Sequence, residues 1–313
     1  MLPAIIIAII GGASATYQTS VNGKSGEVLR SPYLATAVSN FTAFLLLIII
    51  TLVSAGNLRI PFSEINSYPA WIYLGGVCGT YVVLSGIICL PILGSARNIM
   101  LVCTGQLLTG LVTDHFGLFG TSVKSMTMIR LAGAVLVLAG IALVSMEKAA
   151  NTGSKRGGST VFFAFLALIN GAFGTVQTAV NSTLSQAAGS VVKATMISLG
   201  IALVCTVIVI LVISALKGRN YIYIDHTPPK RFTFHWAMIV GGALAFVIVG
   251  GNAFAASALG TGIATIMIMV GAIATGLIID ATGYLGIEKK PVTAKKIVGM
   301  LLLIGGAALI SLN

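Results

Sequence analysis

The chain has 313 residues, 57% of them hydrophobic and only 8% charged, with a net charge of +11 and a mean hydropathy of +1.04. Soluble domains carry roughly 25% charged residues, so this composition excludes a water-soluble globule and places the chain in lipid. The four cysteines and three histidines are scattered without metal-ligand or disulfide spacing, so neither a metal nor a cofactor is expected.

A spanning helix needs about 20 mostly apolar residues. Such runs lie near 3–22, 32–56, 69–92, 95–115, 126–146, 160–182, 190–216, 235–258, 261–282 and 292–312. They are continuous and far longer than the roughly 10 alternating residues of a barrel strand. The expected fold is therefore an all-α polytopic membrane protein with ten transmembrane helices. Ala13-Ser14-Ala15 mimics a signal cleavage site, but no basic segment precedes it; the first run reads as a span.

The first span contains GASATYQTSVN (12–22), and the sixth contains GAFGTVQTAVN (171–181). LGSARNIMLVCTGQLLTGLVTDHFGLFG (93–120) lies over LGTGIATIMIMVGAIATGLIIDATGYLG (259–286) at a constant offset of 166, which also pairs Gly133 with Gly299 and Gly140 with Gly306. A gapless match of this length marks an internal duplication. The expected units are a five-helix repeat over 1–146, a polar linker over 147–159, and a second five-helix repeat over 160–313. An odd number of spans per copy turns the second copy upside down, giving a 5+5 inverted-topology repeat, an arrangement common in transporters.

Fourteen of the 18 Lys and Arg residues fall in segments that follow odd-numbered spans. The positive-inside rule makes those segments cytoplasmic and both termini extracytoplasmic. The basic charge is then topological, and no nucleic-acid partner is expected.

Gln18 and Asn22 are four apart on one face of the first span, as are Gln177 and Asn181 on the sixth. Two readings stand: the amides line a substrate path, or they are interhelical glue worth roughly 0.6–2 kcal/mol each. Gln106 and Asn252 are further intramembrane amides open to the same two readings. Asp114 ends the fourth span and Arg130 begins the fifth; Asp280 and Lys296 repeat them at the same offset. Acid at a helix C-terminus and base at an N-terminus each oppose the helix dipole, so each Asp is expected to pair with its base. Such a pair is either a gate or coupling element, or a static brace for the helix hairpin. The glycine pairs Gly75-Gly76 and Gly241-Gly242 suit close helix approach.

The stretch 75–120 resembles the YdcZ-type proteins of the drug/metabolite transporter superfamily. Pro91, Leu93 and Gly94 match the family's P-x-L-G turn, Gly105 and Gln106 its G-Q, and Asp114 and Gly117 its D-x-x-G. The second half departs from this pattern, with Ser257 in place of the Pro and Ala272 in place of the Gln. The family includes half-length proteins that act as oppositely oriented pairs. The resemblance implies a metabolite or drug exporter of the bacterial cytoplasmic (inner) membrane.

No Asp, Glu, Lys or Arg lies near the middle of a span, which argues against the carboxylate-driven proton-for-cation exchange of the related small multidrug resistance proteins. The expected function is secondary transport, most simply export, of a small polar, neutral or zwitterionic metabolite by alternating access around an amide-lined hollow. The alternative is a passive channel or facilitator for a small ion or solute. An enzyme is not expected, since no nucleophile–base set is legible. The expected partners are a small-molecule substrate and the lipid bilayer, with the chain a monomer or homodimer.

Overall fold

A computed structural model describes residues 2–55, 62–121, 123–145, 160–231, 233–259 and 261–312. Among these residues there is no strand, and ten helices have 18 residues or more. They are α1 (Leu2–Val28), α2 (Pro32–Ala55), α3 (Leu74–Leu93), α4 (Ser95–Phe116) and α5 (Met128–Ser145), then α6 (Thr160–Ala188), α7 (Val191–Lys217), α8 (Ala237–Leu259), α9 (Thr261–Thr282) and α10 (Ala294–Ser311). Eight segments are long and apolar enough to cross a membrane, and Met128–Val144 within α5 is a shorter apolar helix. The proposed linker at 147–159 lies outside the described residues.

Helices α1 and α6 run about one to two turns beyond the apolar stretches that announce them, to Val28 and Ala188. Nothing in the polar tails of these helices breaks them, and the chain turns only before Ser31 and Ser190. Ser31 Oγ accepts a hydrogen bond from Leu34 N (3.1 Å) and Ser190 Oγ one from Lys193 N (3.4 Å), capping α2 and α7. Thr127 and Thr293 do the same for α5 and α10, accepting from Arg130 N and Lys296 N. At the other end, Gly117 (φ +60°) and Gly283 (φ +67°) close α4 and α9 in the left-handed conformation that glycine adopts without strain.

The helices pair across the two halves of the chain. Helix α1 packs on α8 and α9, while α6 packs on α3 and α4. Gly12 of α1 meets the Ile268 carbonyl, and Gly271 of α9 meets the Ile9 carbonyl; likewise Gly171 of α6 meets the Val102 carbonyl, and Gly105 of α4 the Leu168 carbonyl. Each contact in one half has its counterpart in the other.

Helices α5 and α10 cross through their glycines. A Cβ on Gly133 would lie 2.7 Å from the Gly306 carbonyl oxygen, and one on Gly140 would lie 2.8 Å from that of Gly299. As numbering rises along α5 it falls along α10, so the two helices are antiparallel. The same holds for α2 and α7: Asn40 Nδ2 donates to Thr206 Oγ1 (3.1 Å), and the Thr51 hydroxyl approaches Met196 Sδ (4.0 Å).

The largest apolar core lies among α4, α5, α9 and α10, around Met100, Leu101, Val137, Ile273 and Leu303. The outer faces carry exposed aliphatic stripes at helical spacing, Leu45, Ile49 and Val53 on α2 and Val204, Ile208 and Val212 on α7. Acyl chains are the natural solvent for such stripes.

Candidate functional site

Helix α1 presents Gln18 and Asn22 to the first turns of α8. Gln18 Nε2 donates a 2.6 Å hydrogen bond to the Gly241 carbonyl. Asn22 is 3% exposed, and its Oδ1 rests against Gly241. Helix α6 presents Gln177 and Asn181 to the first turns of α3. Gln177 Nε2 lies 2.6 Å from where a Cβ on Gly79 would sit, and Asn181 Oδ1 rests against Gly75. Both pairs thus face glycines of the third helix of the opposite half, and any larger residue there would displace the amide.

The two pairs do not surround one point. Gly23, next to Asn22, meets Leu90 near the end of α3, whereas Asn181 meets Gly75 at its beginning. Fifteen residues at 1.5 Å rise put the asparagines about 20 Å apart along α3. The glutamine levels are closer: Gln177 stands at Gly79, and Thr19, beside Gln18, at Gly86, which is about 10 Å. Between them Asn170 Nδ2 donates to Val82 O and Ser85 Oγ, both at 2.8 Å. The amide pairs thus line two separate interfaces, Gln18 and Asn22 on α8 and Gln177 and Asn181 on α3, with Asn170 of α6 farther along α3.

Gln106 is exposed at the α4–α6 contact, where its backbone carbonyl accepts from Thr175 Oγ1 (3.0 Å). It does not join the amide pairs. The side chain of Asn252 lies outside the described residues.

Both Asp–base ion pairs are present. Arg130 is 1% exposed; its guanidinium donates to Asp114 Oδ2 (2.6 Å) and to the carbonyls of Lys124 (2.9 Å) and Ile310 (3.2 Å). Lys296 Nζ lies 3.5 Å from Asp280 Oδ2. In each half the loop lysine also closes on the acid's backbone: Lys124 N donates to Asp114 O and Lys290 N to Asp280 O, both at 2.8 Å. Asp280 carries more than its base. Ser95 N (2.6 Å) and Ala96 N (3.2 Å) donate to its carboxylate, so an acid at the end of α9 caps the start of α4. Its opposition to its own helix dipole is offset by the dipole of another helix. Nearby, Lys290 Nζ donates to Ile92 O (3.3 Å), and burial pushes this ammonium below its ordinary range against the pull of Asp280.

Sequence reasoning missed the serines. At offset 159, Ser31, Ala35, Thr36, Ser39 and Ala43 of the second span recur as Ser190, Ala194, Thr195, Ser198 and Ala202 of the seventh. Following the repeat between its two best-matched stretches exposes them, and they include Ser198, whose Oγ lies 3.1 Å from the Cβ position of Gly75, beside Asn181.

Among known families, one whose description reads "Putative inner membrane exporter, YdcZ" matches residues 3–143 and 162–309. The chain belongs to the YdcZ family. The two matched segments span nearly all of it. Membership and the apolar helices together make it a multi-pass inner-membrane protein of an exporter family, and that setting speaks for transport rather than catalysis. No curated protein matches the chain. A protein of known crystal structure, 18% identical, superposes with a TM-score of 0.57 over 99% of this chain and 95% of its own. At that identity the likeness concerns the fold alone.

Proposed function

We propose that this YdcZ-family chain is a secondary transporter that exports a small polar, neutral or zwitterionic metabolite by alternating access, built from two five-helix halves inverted in the membrane. The observation that carries this reading is the antiparallel meeting of equivalent helices: Gly133 with Gly306 and Gly140 with Gly299 at the α5–α10 crossing. An antiparallel contact between helices related by duplication is what a two-fold axis in the membrane plane produces. Ten spans, odd-span loops in the cytoplasm and both termini outside follow from that axis and the distribution of basic residues.

The amide contacts at the starts of α3 and α8 are the route's best candidate. Gln18 and Asn22 on α8 and Gln177 and Asn181 on α3 occupy equivalent places in the two halves, so rocking one half against the other exposes each in turn. The Asp114–Arg130 and Asp280–Lys296 pairs then serve as reciprocal latches at the two membrane faces. The Asp280 side chain is fully enclosed and that of Asp114 is 31% exposed, so the two faces differ in solvent access while both pairs stay closed.

Reconstitution into liposomes tests the reading. Flux of an exported metabolite should saturate and should accelerate when the same solute is present on the far side. Linear flux without exchange would instead favour the channel alternative. A reporter placed after Asn313 should be active outside the cytoplasm; cytoplasmic activity would overturn the orientation.

A further inference from the structure

Two buried oxygens at the α3–α6–α7 junction have no hydrogen-bond partner: Asn181 Oδ1 and Ser198 Oγ. Ser198 is 3% exposed. Both atoms crowd the space above Gly75 that a side chain would fill, Asn181 Oδ1 in contact and Ser198 Oγ at 3.1 Å. Left unmet in a low-dielectric interior, such atoms are costly. Part of it recurs in the other half: Asn22 and Ser39, the equivalents of Asn181 and Ser198, are 3% and 4% exposed, and Asn22 Oδ1 rests on Gly241, the equivalent of Gly75.

We propose that Asn181 and Ser198 over Gly75 form a subsite that binds a hydroxyl group of an uncharged solute. This rests on the transport reading and narrows its substrate class. The amide oxygen only accepts, whereas the serine hydroxyl donates or accepts. One ligand hydroxyl therefore satisfies both, donating its proton to Asn181 Oδ1 and accepting from Ser198 Oγ. A carboxylate brings no donor to Asn181. A sodium ion or ammonium group would bring a charge to a place whose neighbours are an amide, a hydroxyl and a glycine, with no anion to offset it. The glycine matters because its missing side chain lets the amide of the crossing helix reach the backbone of α3.

The test is binding to the purified full-length chain in detergent, read as a shift in melting temperature. The probes are ribitol, myo-inositol, methyl glucoside and uridine, each beside its O-methylated analogue, with sodium chloride and choline chloride as charge controls. At least one hydroxylated probe should raise the melting temperature while its O-methylated analogue does not. Ser198→Ala, which changes little volume, should raise the half-saturating concentration about tenfold, the loss of roughly one hydrogen bond. Asn181→Asp should shift preference toward amines by adding a counter-charge, a gain that a folding defect cannot mimic. The proposal is overturned if no hydroxylated probe stabilises the wild type, if sodium alone does so, or if Ser198→Ala binds as well as the wild type. These results are separable from transport: saturable export with Ser198-independent binding would discard the subsite and keep the transporter.

Discussion

The Asp280 carboxylate, in the last turn of α9, accepts a 2.6 Å hydrogen bond from the backbone N–H of Ser95, the first residue of α4. Residues 185 apart in sequence thereby tie the end of one helix to the start of its repeat equivalent. Asp280→Asn keeps the shape but removes the charge that answers both the α4 N-terminus and Lys296. It should lower the unfolding free energy by about 3 kcal/mol, as for breaking a buried pair. Asp114→Asn should cost less, because Arg130 retains the carbonyls of Lys124 and Ile310. Thermal unfolding in detergent ranks the two; equal losses would remove Asp280's distinction as a cap between halves.

The α5–α10 crossing leaves no room for a methyl group. Gly133→Ala would place Cβ 2.7 Å from the Gly306 carbonyl oxygen, and forcing the helices apart should cost about 1–3 kcal/mol. Gly305→Ala is the matched control, since nothing lies within 4 Å of its Cβ position. There the better helix propensity of Ala should leave stability unchanged or raise it by up to about 1 kcal/mol. Melting temperatures that moved together would contradict the crossing.

Asn40 and Thr206 are 2% and 1% exposed and joined by a 3.1 Å hydrogen bond between α2 and α7. Thr206→Val removes the acceptor at nearly constant volume. A double-mutant cycle with Asn40→Ala should give a coupling of roughly 0.6–2 kcal/mol. Strict additivity of the two substitutions would rule the contact out in the folded protein.

Lys290 lies in the loop between α9 and α10, where burial holds its ammonium below the ordinary value of 10.5. Between the lowered folded value and 10.5, the unfolded chain binds more protons than the folded one. Stability from this group therefore increases as pH rises through that window. Lys290→Met should flatten the alkaline rise in melting temperature relative to wild type. An unchanged slope would assign the rise to another group.

Several features were legible before any coordinates. The helices announce themselves because lipid permits only long apolar runs whose backbone bonds are satisfied within the segment. The Asp–base pairs were also readable, since 16 residues separate each acid from its base across a short turn. The extra turns of α1 and α6 were not. Polar tails such as that of α1 look like loops when judged by hydropathy, although nothing in them breaks a helix.

The amides divide differently. Their same-face spacing is local and therefore written in the sequence, but their destinations are not. Gln18 reaches Gly241 and Asn181 reaches Gly75 only because α1 and α6 exchange partners between halves. The serines of α2 and α7 were overlooked because a lone Ser in an apolar run carries no signal until the repeat is followed through the second span at offset 159.

By itself, then, the sequence determined a helical chain for lipid, its duplication, and which residues are chemically unusual within it, since composition, period and offset are properties of a linear string. Tertiary structure alone decided that Asp280 caps α4, that each amide pair faces a glycine in the third helix of the opposite half, and that Asn181 and Ser198 share one glycine. Those outcomes depend on how helices distant in sequence cross, and close crossing is governed by the shapes of both surfaces at once.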